Sequence, residues 1–335
     1  MIMAMAVLSA VLFSCVREEM TCDKELIVVQ RIGEGGYVYT RGAAISSNTD
    51  LKEETFGLYG SLTPNASVPQ PYFNASATVN ADLTATISPL QYWPGLLNAS
   101  MKFFSWYPYN DANAPTASFT DPGEMVLNYT ANASAANHVD VLAAISGPVW
   151  VEGVNILYHT LTKVTFTFKK VAPVPDEVII EKIEFQNVGK SGKLAMTEIP
   201  TTTTKNGKPK FVWSDVATGK VVSTLTDNKT VTEDATLMGD TFLMLPTDAF
   251  SATAKIVVTT NFGDREFLFS DIIAKNPHSW ESGEYINYNL TISNETYQLS
   301  ATPLEWTESP VNVIFDKQYY LKLSQTKVQT AGDGV

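Results

Sequence analysis

The sequence predicts an all-β chain, built as two β-sandwich domains in tandem. Three observations carry that reading. The run Val154–Phe168 alternates: Val154, Ile156, Tyr158, Thr160, Thr162, Val164, Phe166 and Phe168 line one largely apolar face, and Asn155, Lys163, Thr165 and Thr167 make most of the other. No segment combines a capping residue with apolar positions at 3.6-residue spacing, so no helix stands out. The length of 335 residues suits two domains of about 150, and Val171-Ala-Pro173-Val-Pro175 supplies an extended, semi-rigid join between them.

In chain order, the first element is a leader. An apolar run ends in Leu12-Phe13-Ser14-Cys15. A small residue followed by cysteine at the end of an apolar run resembles a bacterial lipobox, in which the cysteine takes a diacylglycerol thioether. Residues 1–15 therefore read as a lipoprotein signal peptide with Cys15 as the lipidation site. The run is too short to span a bilayer, which leaves the lipid as the sole expected anchor. Residues 16–41 read as a propeptide. Within it Leu26–Ile32 is a β-like run in which Leu26, Val28 and Gln30 alternate with Ile27, Val29 and Arg31, so either set is a candidate buried face.

Residues 42–172 form the expected first sandwich domain. Thr55–Tyr59 is a short strand. Met101–Tyr109 carries aromatics on both faces, as a strand covered on both sides does. Residues 173–306 form the expected second domain, with strands at Glu177–Phe185, Thr241–Leu245, Lys255–Asn261, Glu266–Phe269 and Tyr285–Ile292. Thr201–Asp240 reads as a polar excursion holding a hairpin and loops. Residues 307–335 are a tail in which Val311, Val313 and Phe315, then Tyr319, Leu321 and Leu323, recur every second residue. Groove filling by a donor strand needs that spacing.

Charge and motif content exclude several function classes. Charged residues make up 17% of the chain and the balance is acidic, 35 carboxylates against 23 Lys plus Arg. There is no basic cluster to hold nucleic acid. Both cysteines, Cys15 and Cys22, lie in the leader, so the body has no disulfide framework or thiolate metal site. Neither HExxH nor GxSxG occurs, and Gly33-Glu-Gly35-Gly36 lacks the Lys-Ser/Thr and helix of a phosphate loop. His138, His159 and His278 read as packed histidines. No enzyme, cofactor or metal is expected. The aromatics Tyr92, Trp93, Phe103, Phe104, Trp106, Tyr107 and Tyr109 are a possible glycan platform, but their alternation along strands favours core packing.

A resemblance sharpens the functional expectation. Thr40-Arg41-Gly42, Phe56-Gly-Leu-Tyr59, Tyr92-Trp93-Pro94, Met101-Lys-Phe103-Phe104-Ser-Trp106-Tyr107-Pro108, Asp140-Val-Leu142-Ala and His159-Thr-Leu161-Thr-Lys163-Val164 follow one another in an order that resembles the fimbrillin-like family, the type V pilus subunits. Trp280-Glu-Ser-Gly283-Glu-Tyr285-Ile-Asn-Tyr288 and Trp306 are similar to its late signature. The resemblance implies transthyretin-like sandwiches and export as a lipoprotein to the outer membrane. It implies a cut after an arginine, Arg41 with Arg31 as the alternative, by an arginine-specific or trypsin-like protease. It also implies polymerisation by donor-strand exchange with other pilus subunits into a cell-surface fimbrium that supports adhesion, with a host glycan or protein as a further partner. The competing expectation is a monomeric surface glycan-binding lipoprotein.

Overall fold

The computed structural model describes residues 26–32, 48–65, 67–96, 98–147, 153–171, 177–293, 297–304, 306 and 311–318; at 28–32, 48–49, 153–156, 227–228 and 311–318 only the backbone is described. Eighteen strands and one short helix follow in chain order: β1 (Leu26–Ile32), β2 (Thr55–Pro64), β3 (Gln70–Val79), β4 (Ala85–Ser88), β5 (Ala99–Tyr107), β6 (Thr116–Ser118), β7 (Met125–Thr130), β8 (Leu142–Ile145) and β9 (Gly153–His159). Then come β10 (Thr162–Lys170), β11 (Ile179–Met196), β12 (Ser214–Thr230), β13 (Thr236–Met244), β14 (Lys255–Thr260) and β15 (Gly263–Leu268). α1 (Phe269–Lys275), β16 (Tyr285–Ile292), β17 (Tyr297–Leu304) and β18 (Val311–Gln318) complete the order. The chain is all-β, and no side chain caps the N-terminus of α1, which is why no capping signal marks it in the sequence.

The first sheet closes on itself in the order β1-β18-β9-β8-β5-β2-β3-β4. Its interior holds Phe56, Leu58, Phe73, Trp93, Met101, Phe103 and Ile27. The opposite face of β5 carries Phe104 and Trp106, which pack with Tyr59, Leu127 and Leu194 in a second cluster. β5 is thus buried on both sides, as its two-faced aromatic pattern predicts. Gly57 on β2 makes room for this arrangement: a Cβ there would stand 2.1 Å from the Trp106 ring.

The remaining strands form a sheet β13-β10-β16-β17 and a second sheet β15-β14-β11-β7-β6 to which β12 adds along β11. Between them lies an aromatic core of Phe166, Phe168, Phe185, Phe242, Phe269, Trp280 and Tyr288. Phe185 meets Trp280 and Phe242 edge-on, at 5.2 and 4.8 Å between ring centres, a favourable quadrupole arrangement. Strand pairing runs across residues 172–173. β7 pairs with β11, β10 pairs with β13 and, in parallel, with β16, and β18 returns to the first sheet.

Two sequence expectations change here. Val154–Phe168 is two strands, β9 and β10, that enter different sheets. Thr160 and Leu161 break the run. Both are fully buried, Thr160 donates twice to the Val141 carbonyl, and the Leu161 carbonyl accepts from Gly283 N–H. The turn flips the inward face, so Leu157 is buried in β9 and Val164, Phe166 and Phe168 in β10. Thr201–Asp240, expected as a hairpin with loops, contains the 17-residue β12. It pairs only with β11 in that sheet, and its outward positions are mostly polar, which hides the strand from a hydrophobic reading.

Candidate assembly site

β1 closes the first sheet, and its two edges are held very differently. Along one edge it pairs antiparallel with β18 from Leu26↔Gln318 to Ile32↔Val313, with a bulge between Val29 and Arg31. Along the other, β4 contributes one pair, Val29↔Ala85. The loop after β4 adds two links near the start of β1: Ile27 N–H donates to the Gln91 carbonyl at 2.9 Å, and Leu26 bridges Tyr92. Ile27 is 2% exposed and joins the barrel interior, whereas Leu26 is half-buried. Burial settles which of two sequence-equivalent registers faces inward at this point.

β18 depends on β1 in turn. Its first five residues, Val311 to Phe315, pair with β9 on the far side, Val311 opposite the buried Leu157. Asp316, Lys317 and Gln318 pair with β1 alone. Of the candidate donor residues, Val311, Val313 and Phe315 lie on β18; Tyr319, Leu321 and Leu323 fall outside the described residues. So do Cys15 and Arg41. Arg31 stands within the β1 ladder opposite Ile314, and a protease that binds its substrate as an extended strand competes with that pairing.

The chain reaches β18 through Trp306, which is 2% exposed and clamped. His159 stacks on its ring at 3.9 Å, and Lys163 lies 5.5 Å from the ring centre. Lys208 Nζ donates to the Trp306 carbonyl at 2.7 Å and to the Gly283 carbonyl at 3.1 Å. Asp140, fully buried, sits 2.8 Å from His159 Nδ1. The sequence places His138, not His159, two residues from Asp140. In the fold His138 instead accepts from Leu243 N–H and contacts the Asn132 carbonyl, and burial pushes its pKa down to about 4. His278 meets the Tyr288 hydroxyl at 2.9 Å. Beside Trp306 the buried carboxyls of Glu281 and Glu284 adjoin. Burial, then the charge of Glu281, pushes Glu284 up to about 7.

No group of three or more His, Cys, Asp or Glu side chains among the described residues is placed to hold a metal ion. No helix among them is long and apolar enough to cross a membrane. Trp93, Phe103, Phe104, Trp106 and Tyr107 are buried, so these aromatics build cores and offer no platform; only Tyr92 of the set is as much as 36% exposed.

A family model described as fimbrillin-like matches residues 40–306. Among solved structures, the chain is similar to a fimbrial protein from Bacteroides vulgatus ATCC 8482, with 12% identity over 84% of this chain and 100% of that one, at a TM-score of 0.56. It is also similar to a protein from Bacteroides uniformis ATCC 8492 with a provisional cell-adhesion description, at 14% identity, 84% and 98% coverage and a TM-score of 0.53. At such identities the likeness establishes the fold. None of the curated proteins matches the chain.

Proposed function

The chain belongs to the fimbrillin-like family, whose members are fimbrial or adhesion-related components, and from that premise we propose that it is a structural subunit of a cell-surface fimbrium assembled by strand exchange. The precursor travels as an outer-membrane lipoprotein anchored through Cys15. An arginine-specific or trypsin-like protease cuts after Arg41 and frees the leader, β1 included. The tail strand, with Val311, Val313 and Phe315 and then Tyr319, Leu321 and Leu323, fills the vacancy in a neighbouring subunit. Adhesion to a host glycan or protein follows from display on the filament.

One observation supports this reading above the rest: β1 is held to β4 by a single residue pair while it pairs with β18 from Val313 to Gln318. Loss of β1 leaves unpaired backbone on β4 and on β18, and uncovers the cavity that Ile27 fills. A donor strand satisfies both demands at once. The same cut leaves Asp316–Gln318 without a partner strand, so acceptor and donor become available together. Burying one apolar donor side chain contributes roughly 1.5–3 kcal/mol, offset in part by ordering the tail. Treating the purified full chain with an arginine-specific protease and imaging it by electron microscopy tests the reading. Filaments from the cut protein and none from the uncut protein are expected; a cut protein that stays monomeric refutes it.

A further inference from the structure

Trp306 lies between β17 and β18, and Lys208 ties its carbonyl to the body of the protein. Lys208 Nζ donates to that carbonyl at 2.7 Å and to the Gly283 carbonyl at 3.1 Å. The stem of Lys208 crosses Gly283, where a Cβ would stand 3.4 Å from Lys208 Cδ. The turn that contains Gly283 carries two buried carboxyls, Glu281 and Glu284, and Glu284 N–H donates to the Glu281 carbonyl at 3.2 Å. The two side chains are supplied unequally. Glu281 Oε2 accepts from Lys205 N–H at 3.0 Å, and Glu281 Oε1 lies 3.6 Å from Lys210 Nζ, which also meets Asp248 at 2.6 Å. Glu284 Oε1 is buried and accepts from no described donor. The Glu281 carboxyl stands within hydrogen-bonding reach of Glu284, and two carboxyls make that contact only with a proton between them. A buried carboxylate oxygen without a donor is costly. Glu284 therefore either keeps a proton or gains a cation, and the cations whose charges reach it are Lys205 and Lys208.

We propose that Lys208 and Glu284 form a proton-operated latch on Trp306: with a proton on the Glu281–Glu284 pair Lys208 holds the Trp306 carbonyl, and without it Lys208 turns to the Glu284 carboxylate and releases that carbonyl. The latch fixes the base of β18 whether or not β18 serves as a donor, so the inference stands apart from strand exchange. Its direction follows from burial. Glu284 keeps its proton up to about pH 7, so the latch is shut in mild acid and opens as pH rises through that value. Lys163, Lys205, Lys210, Asp248 and Asp140 are the other charged groups around the joint. His159, stacked on Trp306 and 2.8 Å from Asp140, is the remaining side chain of a type that ordinarily titrates near neutrality, and the test must separate the two.

The uncut full chain labelled with 5-fluorotryptophan provides the readout, with the Trp306 fluorine signal identified by its loss in Trp306→Phe. In wild type that signal should shift between about pH 5.5 and about pH 8.5 with its midpoint near 7. Glu284→Gln, a near-isosteric change that cannot ionise, should hold it at the acid position at both pH values. Lys208→Met should hold it at the alkaline position at both, and the comparison of wild type with Glu284→Gln decides even if Lys208→Met does not fold. A Trp306 signal that stays fixed with pH in wild type overturns the inference. So does a signal that shifts as far in Glu284→Gln as in wild type, an outcome that assigns the titration to His159.

Discussion

The aromatic core between the two later sheets and the seam around β1 are built on opposite plans. In the core, β16 lies between β10 and β17 in unbroken register over Tyr285–Ile292, and Phe166, Phe185, Trp280 and Tyr288 interlock behind it. At the seam, one edge of β1 has a full partner with a bulge, and the other has one strand residue and two contacts from a loop. The difference separates two tasks. One region must never open and is packed to prevent it. On the strand-exchange proposal the other opens once, and its first strand is held there by few bonds along one edge.

Breaking the core should have the largest effect. Phe166→Ala, at a fully buried position that touches Phe185, Phe242 and Tyr288, should cost about 3–5 kcal/mol, read as a lower denaturant midpoint. The loss should be the same before and after cleavage if the core is independent of the seam. Ile27→Ala should cost about 2 kcal/mol, at the low end for such a truncation, and only in the uncut protein. If cleavage removes residue 27 as proposed, cut Ile27→Ala and cut wild type should unfold together; a deficit that persists would place the effect elsewhere.

Glu284→Gln sharpens the comparison through pH. The carboxyl of Glu284 titrates near 7 in the fold, above its ordinary value near 4.5 in the unfolded chain. The folded state then binds the extra proton between those values, so this group lowers stability as pH rises from about 4.5 to about 7. Glu284→Gln should remove that slope and leave the variant more stable than wild type at pH 8, by roughly 1 kcal/mol once screening is allowed for. Unfolding curves at pH 5 and pH 8 decide it; an unchanged slope would show that Lys205 and Lys208 already hold Glu284 ionised.

The sequence reveals the parts of this fold whose signals are local. The apolar face of β10 and the doubly buried β5 are plain because burial there follows simple alternation. β12 is hidden because Val221, Ser223 and Leu225 are its inward residues among a run of exposed Thr, Lys and Asp. The inward face of β1 is undetermined from sequence because each of its alternating sets has at least two apolar residues and a single polar one, and only the barrel interior around Ile27 selects one. The clamp on Trp306 joins residues 140, 159, 163, 208 and 283, and no spacing rule connects them. The same holds for division of the chain. Pro173 and Pro175 read as a join in the sequence, whereas the pairing of β10 with β16 and of β7 with β11 ties the two sides together. Fragments 42–172 and 174–335 should therefore be far less folded apart than mixed, as circular dichroism would show.

The central claim is that β1 must leave before β18 can act, and a reversible lock tests it most directly. Val29 and Phe315 are directly opposite in the β1–β18 ladder, a separation that suits a disulfide. In a Cys15→Ser/Cys22→Ser background, Val29→Cys/Phe315→Cys can be oxidised and then cut at Arg41. The account predicts that the cut, oxidised protein keeps its leader and stays monomeric, and that reductant releases the leader and starts filament growth. Filaments growing equally fast under oxidising and reducing conditions would contradict it.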